Sequence, residues 1–577
     1  MKAFQSDFSF MTNAKMVEIP FFQRAYVWGK EEWEQLFSDL EGSYIDNKDH
    51  FLGSIIIRQK MEDGKITGGM LIDGQQRLTT FSILVKALYD TLKNDGKADF
   101  AHYLFRAPIA DRLPKIEHSR HDRADFGEIL RANGVSELSG IKASKLKSCY
   151  SYFSNKVGTL RDKTGFLNFI LDSELWVVIN LGADENEQKI FDSINTTGLQ
   201  LTATDIIKNS LFARAIALEC DYENLYKEYW ESVFEAKEDR EFWEDELSQG
   251  RVRRVRSEVF FHAFAVIEGF FGPGQGTLEN LSETYKKKFD SFTADTLQQF
   301  LESMKQHAVI YRNLPQNVRS LPLRFDDNES RLFHIIQITH INTVVPLILY
   351  LKIRLADDTE RLNKIFYLLE LFLLTRWLCK KSTSGYSGVF TDIVNHLRES
   401  KEEIPTTFKQ LLSDRGRVGR NYTLPSRDDV EAALRDLDSR KGRLVLFWIE
   451  LHRRRHGHEV TELNYEPYNI EYLMPEDWEQ DWKFAANDPE SAWKLIYQIG
   501  NMTLVRGSIS NELKSRAWNL KLNGDSSGKA HLKSCADLLV AQEVLENESW
   551  GESQIEERTK SLIDEFFSIW NVDKLDS

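Results

Sequence analysis

Residues 71–80, LIDGQQRLTT, combine residue types that bind phosphate at the junction of a strand and a helix. Gly74 permits a tight turn and a close approach of a ligand. A helix that begins directly after it presents free backbone N–H groups and the positive end of its dipole, which favour anions. Arg77 can hold a phosphate in a two-pronged contact. The candidate residues for this chemistry are Asp73, Gly74, Gln75, Gln76 and Arg77.

Two further segments place polar residues beside apolar scaffolding. Residues 19–28 read IPFFQRAYVW, and residues 191–209 read FDSINTTGLQLTATDIIKN. Arg24, next to Gln23, offers a second cation, and Lys208 offers a third. Additional cations would strengthen phosphate binding.

Ordinary structural roles are open alternatives for the same residues. Asp73 can coordinate Mg²⁺ or orient a water, or it can cap the helix that follows. Arg77 can form an ion pair at a strand–helix corner. Asp205 can cap the next helix, with Asn195 and Gly198 only shaping a turn.

The three segments together resemble the signature blocks of the DGQQR domain, found in GmrSD-type modification-dependent restriction enzymes and SspE-like defence proteins. The resemblance implies a ParB/sulfiredoxin-like fold that binds and hydrolyses GTP or another NTP to regulate DNA cleavage. No GxxxxGK[ST] sequence is present, so hydrolysis would use a different phosphate cradle. By position, the resemblance assigns to the nucleotide site Gln23, Arg24, Asp73, Gly74, Gln75, Gln76 and Arg77. Of these, we expect catalytic roles for Asp73, Gln76 and Arg77.

A second group of polar residues lies towards the C-terminus. Residues 470–475 read IEYLMP, residues 499–504 read IGNMTL, and Asn511 follows. The pattern resembles the HNH-nuclease-like domain of the same defence proteins, whose usual sequence is Ile-Glu-His-Ile-x-Pro, then Gly-Asn-Leu-x-Leu and a later Asn. The resemblance implies a ββα element around one divalent metal. In it, Glu471 and Asn511 would be ligands, and Asn501 would belong to the catalytic site.

Tyr472 stands where that family has its catalytic histidine. A free tyrosine has a pKa near 10, which makes it a poor general base at neutral pH. Losing a positioned general base costs about a hundred- to ten-thousand-fold in rate. The sequence therefore predicts weak or absent cleavage. Rescue by His452, His456 or His458 is the alternative, although the arginines at 453–455 would repel a metal there.

Three arginine clusters interrupt an acidic sequence. The net charge is −15, which excludes a general DNA coat because duplex binding depends on phosphate neutralisation. Contacts with DNA would therefore be local. The clusters lie at 251–256, 415–420 and 453–455. Each can contact phosphate or can be a solvated face, and the first can also pair with the acidic stretch before it. The candidate DNA contacts are Arg415, Arg417, Arg420, Arg453 and Arg454.

The composition predicts a cytoplasmic protein of several domains. Its 577 residues exceed one ordinary domain. Four cysteines lie far apart without a CxxC pair, which excludes a cysteine zinc site and a dense disulfide framework. Glu370 and Arg376 interrupt the most apolar stretch, residues 365–379, which predicts a buried helix rather than a membrane span.

The predicted fold is α+β and predominantly helical. Residues 1–215 predict a nucleotide-binding α/β domain, ParB/sulfiredoxin-like by resemblance. Residues 216–430 have the periodicity of a helical connector, with a loop at 414–421. Residues 431–577 predict a helical domain with a degenerate, HNH-like ββα element.

Within the first domain, residues 50–72 predict a β-hairpin, because β-branched runs flank a Glu-Asp-Gly-Lys turn. An amphipathic helix is predicted over 76–94. A buried strand is predicted over 174–181, followed by helices at about 185–194 and from residue 204.

These patterns favour a restriction-type defence protein that uses an NTP to regulate recognition or cleavage of foreign or modified DNA, including modified phage DNA. Two alternatives stay open. The first is a nuclease-dead, nucleotide-dependent sensor or regulatory subunit with a separate effector, and the second is a non-enzymatic helical scaffold. The expected cofactors are an NTP and Mg²⁺ or another divalent metal. A homo-oligomer or a partner from a defence operon is left open.

Overall fold

Two compact units, Met1–Ala217 and Leu218–Ser577, make up the chain in its computed structural model. They are called the N-terminal and the C-terminal unit below. The structure describes residues 2–13, 16–20, 23, 25–48, 50–62, 65–138, 144–181, 202–236, 238–249, 252–272, 280–399, 423–455, 461–479, 481–483 and 488–571.

One mixed sheet organises the N-terminal unit. Its strands are β1 (Lys2–Ser6), β2 (Val17–Glu18), β3 (Gly53–Glu62), β4 (Lys65–Asp73), β5 (Ile116–Glu117) and β6 (Trp176–Leu181). Their order is β1-β6-β3-β4-β2-β5. β3 is antiparallel to β4 and parallel to β6, while β2 is parallel to both β4 and β5. The predicted hairpin and the strand predicted over 174–181 are confirmed.

Helices surround this sheet. They span Phe10–Asn13, Lys30–Asp46, Gln75–Thr91, Asn94–Leu104, Arg123–Arg131, Lys145–Thr159, Lys163–Asp172 and Ala203–Ala217. Short 3₁₀ turns lie at Ile109–Asp111 and Val135–Leu138. The helix predicted over 185–194 lies outside the described residues.

Helix Gln75–Thr91 runs through the middle of the N-terminal unit. Every residue from Leu78 to Tyr89 is buried, and the helix packs against Lys145–Thr159. The sequence predicted a helix with one apolar face, but the structure covers all its faces. A helix buried all round is a core element, which holds its first turn in a fixed position.

Helices dominate the C-terminal unit. They span Tyr222–Leu225, Arg240–Glu244, Arg256–Ile267, Leu281–Asp290, Ala294–Arg312, Asn328–Thr339, Val345–Arg354, Thr359–Leu378, Tyr386–Glu399, Arg427–Leu434, Ser439–Arg454, Pro489–Ile496, Gly507–Leu513, Trp518–Asn523, Leu532–Cys535, Leu539–Gln542 and Glu552–Ile569. A π-helix spans Tyr226–Glu235, and 3₁₀ turns lie at Val318–Ser320, Asn342–Val344 and Ile499–Asn501.

Three short two-stranded sheets complete this unit. Their strands are β7 (Glu246–Gln249), β8 (Val252–Val255), β9 (Pro322–Arg324), β10 (Glu462–Asn464), β11 (Tyr468–Tyr472) and β12 (Met502–Arg506). The pairs are β7 with β8, β9 with β10, and β11 with β12, all antiparallel. Of the arginine cluster at 251–256, Arg253 and Arg254 lie in β8, and Arg256 starts the following helix.

The regions 216–430 and 431–577 lie in one compact unit. Strand β9 from the first region pairs with β10 from the second. The buried His334 accepts a hydrogen bond from Trp448 Nε1 at 3.1 Å. Because a strand pair and a buried hydrogen bond join them, the two regions share one core.

The apolar stretch 365–379 lies in helix Thr359–Leu378, as predicted, and it is buried. Its two charged residues have partners there. Arg331 Nε donates to Glu370 Oε2 at 2.8 Å, and Arg376 Nε donates to Tyr386 Oη at 2.6 Å. Among the described helices, none has both the length and the apolar character that crossing a membrane requires.

Candidate functional site

The strand–helix junction after β4 is built around Gly74. This residue is the N-cap of helix Gln75–Thr91 with φ +95°, and no side chain caps the helix. A Cβ at this position would lie 3.2 Å from the carbonyl oxygen of Ser54, so the backbones approach closely. The N–H groups of an uncapped first turn are the usual binding groups for an anion at a helix start.

Asp73 does not cap the helix, because Gly74 takes that position. Its Oδ2 lies 3.5 Å from Arg77 Nη2, and both side chains are about one-fifth exposed. Arg77 Nη2 also donates to the backbone oxygen of Ser54 at 3.0 Å, whereas Arg77 Nε is buried without a hydrogen-bond partner. The guanidinium is therefore held in place, and its buried Nε remains available to an acceptor.

Gly53 forms the surface on which the Arg77 guanidinium lies. A Cβ at residue 53 would lie 3.0 Å from Cζ, Nε and Nη1 of Arg77. The φ of Gly53 is +127°, a conformation that residues with side chains rarely adopt. The position therefore requires glycine both for its backbone and for the arginine beside it.

We expect Gly53→Ala to lower the free energy of unfolding by about 1–3 kcal/mol through backbone strain, and to displace Arg77. Thermal unfolding and nucleotide binding measure the two effects. Gly42→Ala is the matched control, because Gly42 lies in helix Lys30–Asp46 with open space around it. That change stabilises by about 0.5–1 kcal/mol. Wild-type nucleotide affinity in Gly53→Ala would contradict the placement of Arg77 at the binding site.

Gln76, in segment 71–80, forms hydrogen bonds to segment 19–28. Its side chain is buried, and Oε1 accepts from the backbone N–H of Val27 at 2.9 Å and of Trp28 at 3.4 Å. Its Nε2 donates to the backbone oxygen of Ala25 at 3.5 Å. In the described structure, Gln76 therefore positions residues 25–28.

A buried hydrogen-bond network lies next to these Gln76 contacts. Tyr26 Oη lies 2.6 Å from Thr80 Oγ1 and accepts from Trp33 Nε1 at 2.8 Å. It donates to Cys149 Sγ at 3.6 Å. Burial raises the pKa of Tyr26 and of Cys149 well above their ordinary values. Both groups stay protonated and act as structural anchors rather than as nucleophiles.

His118 belongs to the same core. Its Nε2 lies 2.8 Å from Thr79 Oγ1, and its Nδ1 lies 3.8 Å from Asp122 Oδ2, which accepts from the backbone N–H of Tyr26. Burial lowers the pKa of His118 to about 3, so the ring is neutral at physiological pH. This network supports helix Gln75–Thr91 and residues 25–28 together.

The N-terminal unit should lose stability in mild acid. The unfolded chain protonates His118 near pH 6.5, whereas the folded chain does so only near its pKa of about 3. The stabilising difference is complete above pH 6.5 and decreases by about 1.4 kcal/mol per pH unit below it. Hydrogen exchange in helix Gln75–Thr91 measures how the stability depends on pH. His118→Asn should reduce this slope by about 1.4 kcal/mol per pH unit, which is the contribution of one bound proton. Equal slopes in the two proteins would refute this.

The other predicted nucleotide-site residues have varied positions. Gln75 is buried at the helix start, and Gln23 is half-buried. Lys208 is buried in helix Ala203–Ala217, where Thr202 and Asp205 form the cap. Arg24 lies outside the described residues. The structure thus brings together Asp73, Gly74 and Arg77. The hydrogen bonds of Gln76 to residues 25–28 lie next to them.

The second candidate site lies on β11, β12 and helix Gly507–Leu513. Glu471 pairs with Thr503 across the two antiparallel strands. The helix follows β12 directly and packs on both strands. Two antiparallel strands and the helix that follows them thus frame this site.

Glu471 is 4% exposed and both of its oxygens are occupied. Oε2 accepts from Ser510 Oγ at 2.9 Å, and Oε1 accepts from Lys521 Nζ at 2.5 Å. Lys521 is completely buried and also donates to the backbone oxygen of Tyr472 at 2.6 Å. Burial lowers the pKa of Lys521, and the Glu471 carboxylate opposes that shift. The sequence analysis did not identify Lys521 or Ser510.

Asn501 is fully buried and uses its whole amide in hydrogen bonds. Its Oδ1 accepts from the backbone N–H of Met474 at 2.8 Å and from Trp550 Nε1 at 3.2 Å. Its Nδ2 donates to the backbone oxygens of Met474 and Ile496. These contacts leave no free group for substrate, so Asn501 holds the loop beside the strands.

Asn511 and Tyr472 differ in exposure. Asn511 is exposed on helix Gly507–Leu513, and Ser510 is the residue of that helix that contacts Glu471. Tyr472 is half-buried, and burial followed by the charge of Glu476 raises its pKa. With a raised pKa, an even smaller fraction of the tyrosine is ionised at neutral pH, so it is less available as a general base than a free one.

Arg453 and Arg454 have internal partners instead of an open surface. Arg453 donates to both Glu565 and Glu543, and Arg454 Nε donates to Glu450 at 2.5 Å. Their side chains are 19% and 9% exposed. Carboxylates therefore already use donors of both arginines, and contact of this pair with phosphate stays a prediction. The candidates Arg415, Arg417 and Arg420 lie outside the described residues, as do His456 and His458.

Two family models match the chain. GmrSD restriction endonuclease, N-terminal domain, matches residues 8–212, and GmrSD restriction endonucleases, C-terminal domain, matches residues 424–565. The chain belongs to the GmrSD restriction endonuclease family. Both candidate sites of this GmrSD-type protein lie inside the matched ranges, and the helices between them lie outside. A comparison with curated proteins found no match.

The nuclease half of the GmrSD family implies a divalent metal ion. A hard divalent ion needs several oxygen ligands. Lys521 and Ser510 already occupy Glu471, and Asn511 is exposed. The described residues contain no group of three or more His, Cys, Asp or Glu suited to a metal. The donor set does not fit a divalent ion, and Lys521 supplies the positive charge instead.

Proposed function

We propose that this GmrSD-type protein binds and hydrolyses an NTP in its N-terminal unit, and that the nucleotide regulates its action on foreign or modified DNA. The observation that carries the proposal is the Arg77 guanidinium beside an uncapped helix start, with its buried Nε unpaired. This combination provides a fixed cation and backbone donors for phosphate oxygens. The ParB/sulfiredoxin-like character of the fold is part of the same proposal.

The residues of the junction have separate roles in this proposal. Arg77 and the first-turn N–H groups bind phosphate, and Gly53 and Gly74 permit the close approach. Asp73, which lies 3.5 Å from Arg77, orients the attacking water or a Mg²⁺ ion. Gln76 acts as a positioning residue, since its amide holds residues 25–28. Gln23 and Arg24 extend the site from that segment, and Lys208 adds a cation.

The C-terminal unit contributes DNA contact with impaired cleavage. Tyr472 replaces the general base, and the Glu471–Lys521 pair replaces the metal site. Without a base and a metal ion, phosphodiester hydrolysis has no group that activates water.

Phosphate release and plasmid nicking, measured in parallel, test the proposal. We expect release from at least one NTP and little nicking with Mg²⁺ or Mn²⁺. Unmodified and modified DNA are compared in both assays, and DNA should change the rate of phosphate release. No release from any NTP would refute the nucleotide part. Efficient nicking that Glu471→Ala abolishes would refute the impaired nuclease.

A second candidate function is a nuclease-dead sensor that binds nucleotide and acts with a separate effector. The completely buried Lys521 next to Glu471 favours it, because this cation occupies the carboxylate that a metal would need. Nucleotide-dependent DNA binding with no nicking under any condition would identify the sensor. Nicking that depends on the nucleotide would identify the first function.

A further inference from the structure

A cavity of about 300 Å³ lies in the C-terminal unit, between the two ranges matched by the family. Its volume falls at the lower end of ligand pockets in proteins. The lining residues that matter here are Arg256, Tyr311, Gln316, Arg319, Gln337 and His340. None of them belongs to the nucleotide or nuclease candidate sites.

Arg256 is fixed in the wall of this cavity. It begins helix Arg256–Ile267, is 6% exposed, and donates to Asp245 and Gln316. Its guanidinium carbon lies 4.3 Å from the centre of the Phe242 ring. Arg256 Nε is buried without a partner. Buried donors normally have an acceptor, so this unused donor requires an explanation.

Gln337 provides a second unused polar group. It is half-buried in helix Asn328–Thr339, and its side-chain amide makes no hydrogen bond to any residue that the structure describes. A glutamine amide offers a donor and an acceptor side by side, as the edge of a nucleobase does. Tyr311, 2% exposed, and Phe333, 5% exposed, provide aromatic walls. The inner part of the cavity thus suits a flat, polar ring.

The lining of the cavity includes one exposed arginine. Arg319 is exposed there and has no ion pair or hydrogen bond with the described part of the chain. Burial, then the charges of Arg440 and Arg319, lower the pKa of His340. Arg440 donates to the backbone oxygen of Ile338 and not to a carboxylate. Both acidic residues of the lining have ion-pair partners: Asp245 pairs with Arg256, and Glu246 lies 3.8 Å from Arg253.

We propose that this cavity binds a nucleoside monophosphate unit, with its base against Gln337 and the aromatic walls and its phosphate at Arg319. The unit is either a free nucleotide or one nucleotide of a DNA strand whose base is turned out of the stack. The proposal is separate from nucleotide binding at Arg77 and does not depend on it.

Hydrogen–deuterium exchange on the full chain tests the proposal and localises binding. The probes are the common ribo- and deoxyribonucleoside monophosphates, inorganic phosphate, the matching nucleosides, and short single- and double-stranded oligonucleotides. We expect protection of peptides from 311–319 and 328–342 by a monophosphate or an oligonucleotide, and weaker protection by nucleoside or phosphate alone. Protection by free monophosphates identifies the free source. Protection by oligonucleotides alone identifies the strand.

Two variants make the result specific. Arg319→Gln should weaken binding by roughly fivefold, because it removes one exposed cation. Gln337→Leu should weaken it by roughly tenfold, because it removes the hydrogen-bonding amide but keeps the volume. The control, Arg354→Gln, changes an exposed arginine outside the lining and should bind as wild type. The absence of protection by every probe at millimolar concentration, or undiminished binding in both variants, would overturn the proposal.

Discussion

Replacing Lys521 with methionine lowers the free energy of unfolding of the C-terminal unit by about 3–5 kcal/mol. Lys521 is completely buried, and Glu471 beside it is 4% exposed. Removing the ammonium leaves a carboxylate in the core, with Ser510 as its one remaining side-chain donor among the residues that the structure describes. Hydrogen exchange of the β11 and β12 backbone, followed as a function of urea, measures the loss.

The double variant Glu471→Leu/Lys521→Met separates charge burial from packing. Replacing both members of a buried ion pair with apolar residues is often neutral or stabilising. We therefore expect most of the stability lost in the single variant to return. Addition of a chelator should leave wild-type stability unchanged, since the pair needs no metal. A single variant within 1 kcal/mol of wild type would show that the pair is not a structural substitute for a metal.

Arg77→Ala should reduce NTP hydrolysis by about a hundredfold or more, as the loss of one preorganised donor to a phosphate does. Arg77→Lys should recover only part of the rate, because lysine keeps the charge but lacks the planar fork. Steady-state phosphate release over a range of NTP concentrations measures both. Melting temperatures show that the fold persists, since within the described residues the arginine side chain donates one hydrogen bond shorter than 3.5 Å, to the backbone oxygen of Ser54.

Arg161→Ala is the control for this experiment. Arg161 lies in the same unit, is exposed, and makes no ion pair or hydrogen bond within the described ranges. Its variant should hydrolyse NTP at the wild-type rate. Equal activity of the Arg77 and Arg161 variants would place the phosphate elsewhere in the N-terminal unit.

Local signals were enough to predict the elements around the candidate nucleotide site. β-branched runs flanking a turn predicted the hairpin of β3 and β4, and Gly74 marked the helix start. The role of Gln76 could not be predicted, because its backbone partners at 25–28 are distant in sequence. Only the folded chain shows that this amide, together with the Tyr26–Thr80 hydrogen bond, attaches residues 25–28 to helix Gln75–Thr91.

The C-terminal site shows a different limit of sequence analysis. The choice between Ser510 and Asn511 depends on where helix Gly507–Leu513 begins, and one residue of difference turns the side chain to another face. The burial of Lys521 had a weak signal, since Trp518, Lys521 and Leu522 share helical spacing and are all buried. Lysine is so seldom buried that this pattern normally indicates a solvated residue.

Arginine clusters illustrate the same difficulty for surfaces. Arg453 and Arg454 look like a basic helix end in sequence, but Glu543, Glu565 and Glu450 from other positions neutralise them. A sequence shows how many arginines a segment contains. Phosphate binding depends on how many of those arginines have no carboxylate partner in the folded chain.

Pairing between β9 and β10 determines how this chain can be divided. Residues 322–324 and 462–464 form one ladder, and Trp570 Nε1 lies within 3.4 Å of Glu370 Oε2. A fragment ending before residue 424 would leave Glu370 without this tryptophan and β9 without its neighbour. The boundary of the matched family domain is therefore a poor place to separate the polypeptide, and two pieces produced there would need each other to fold.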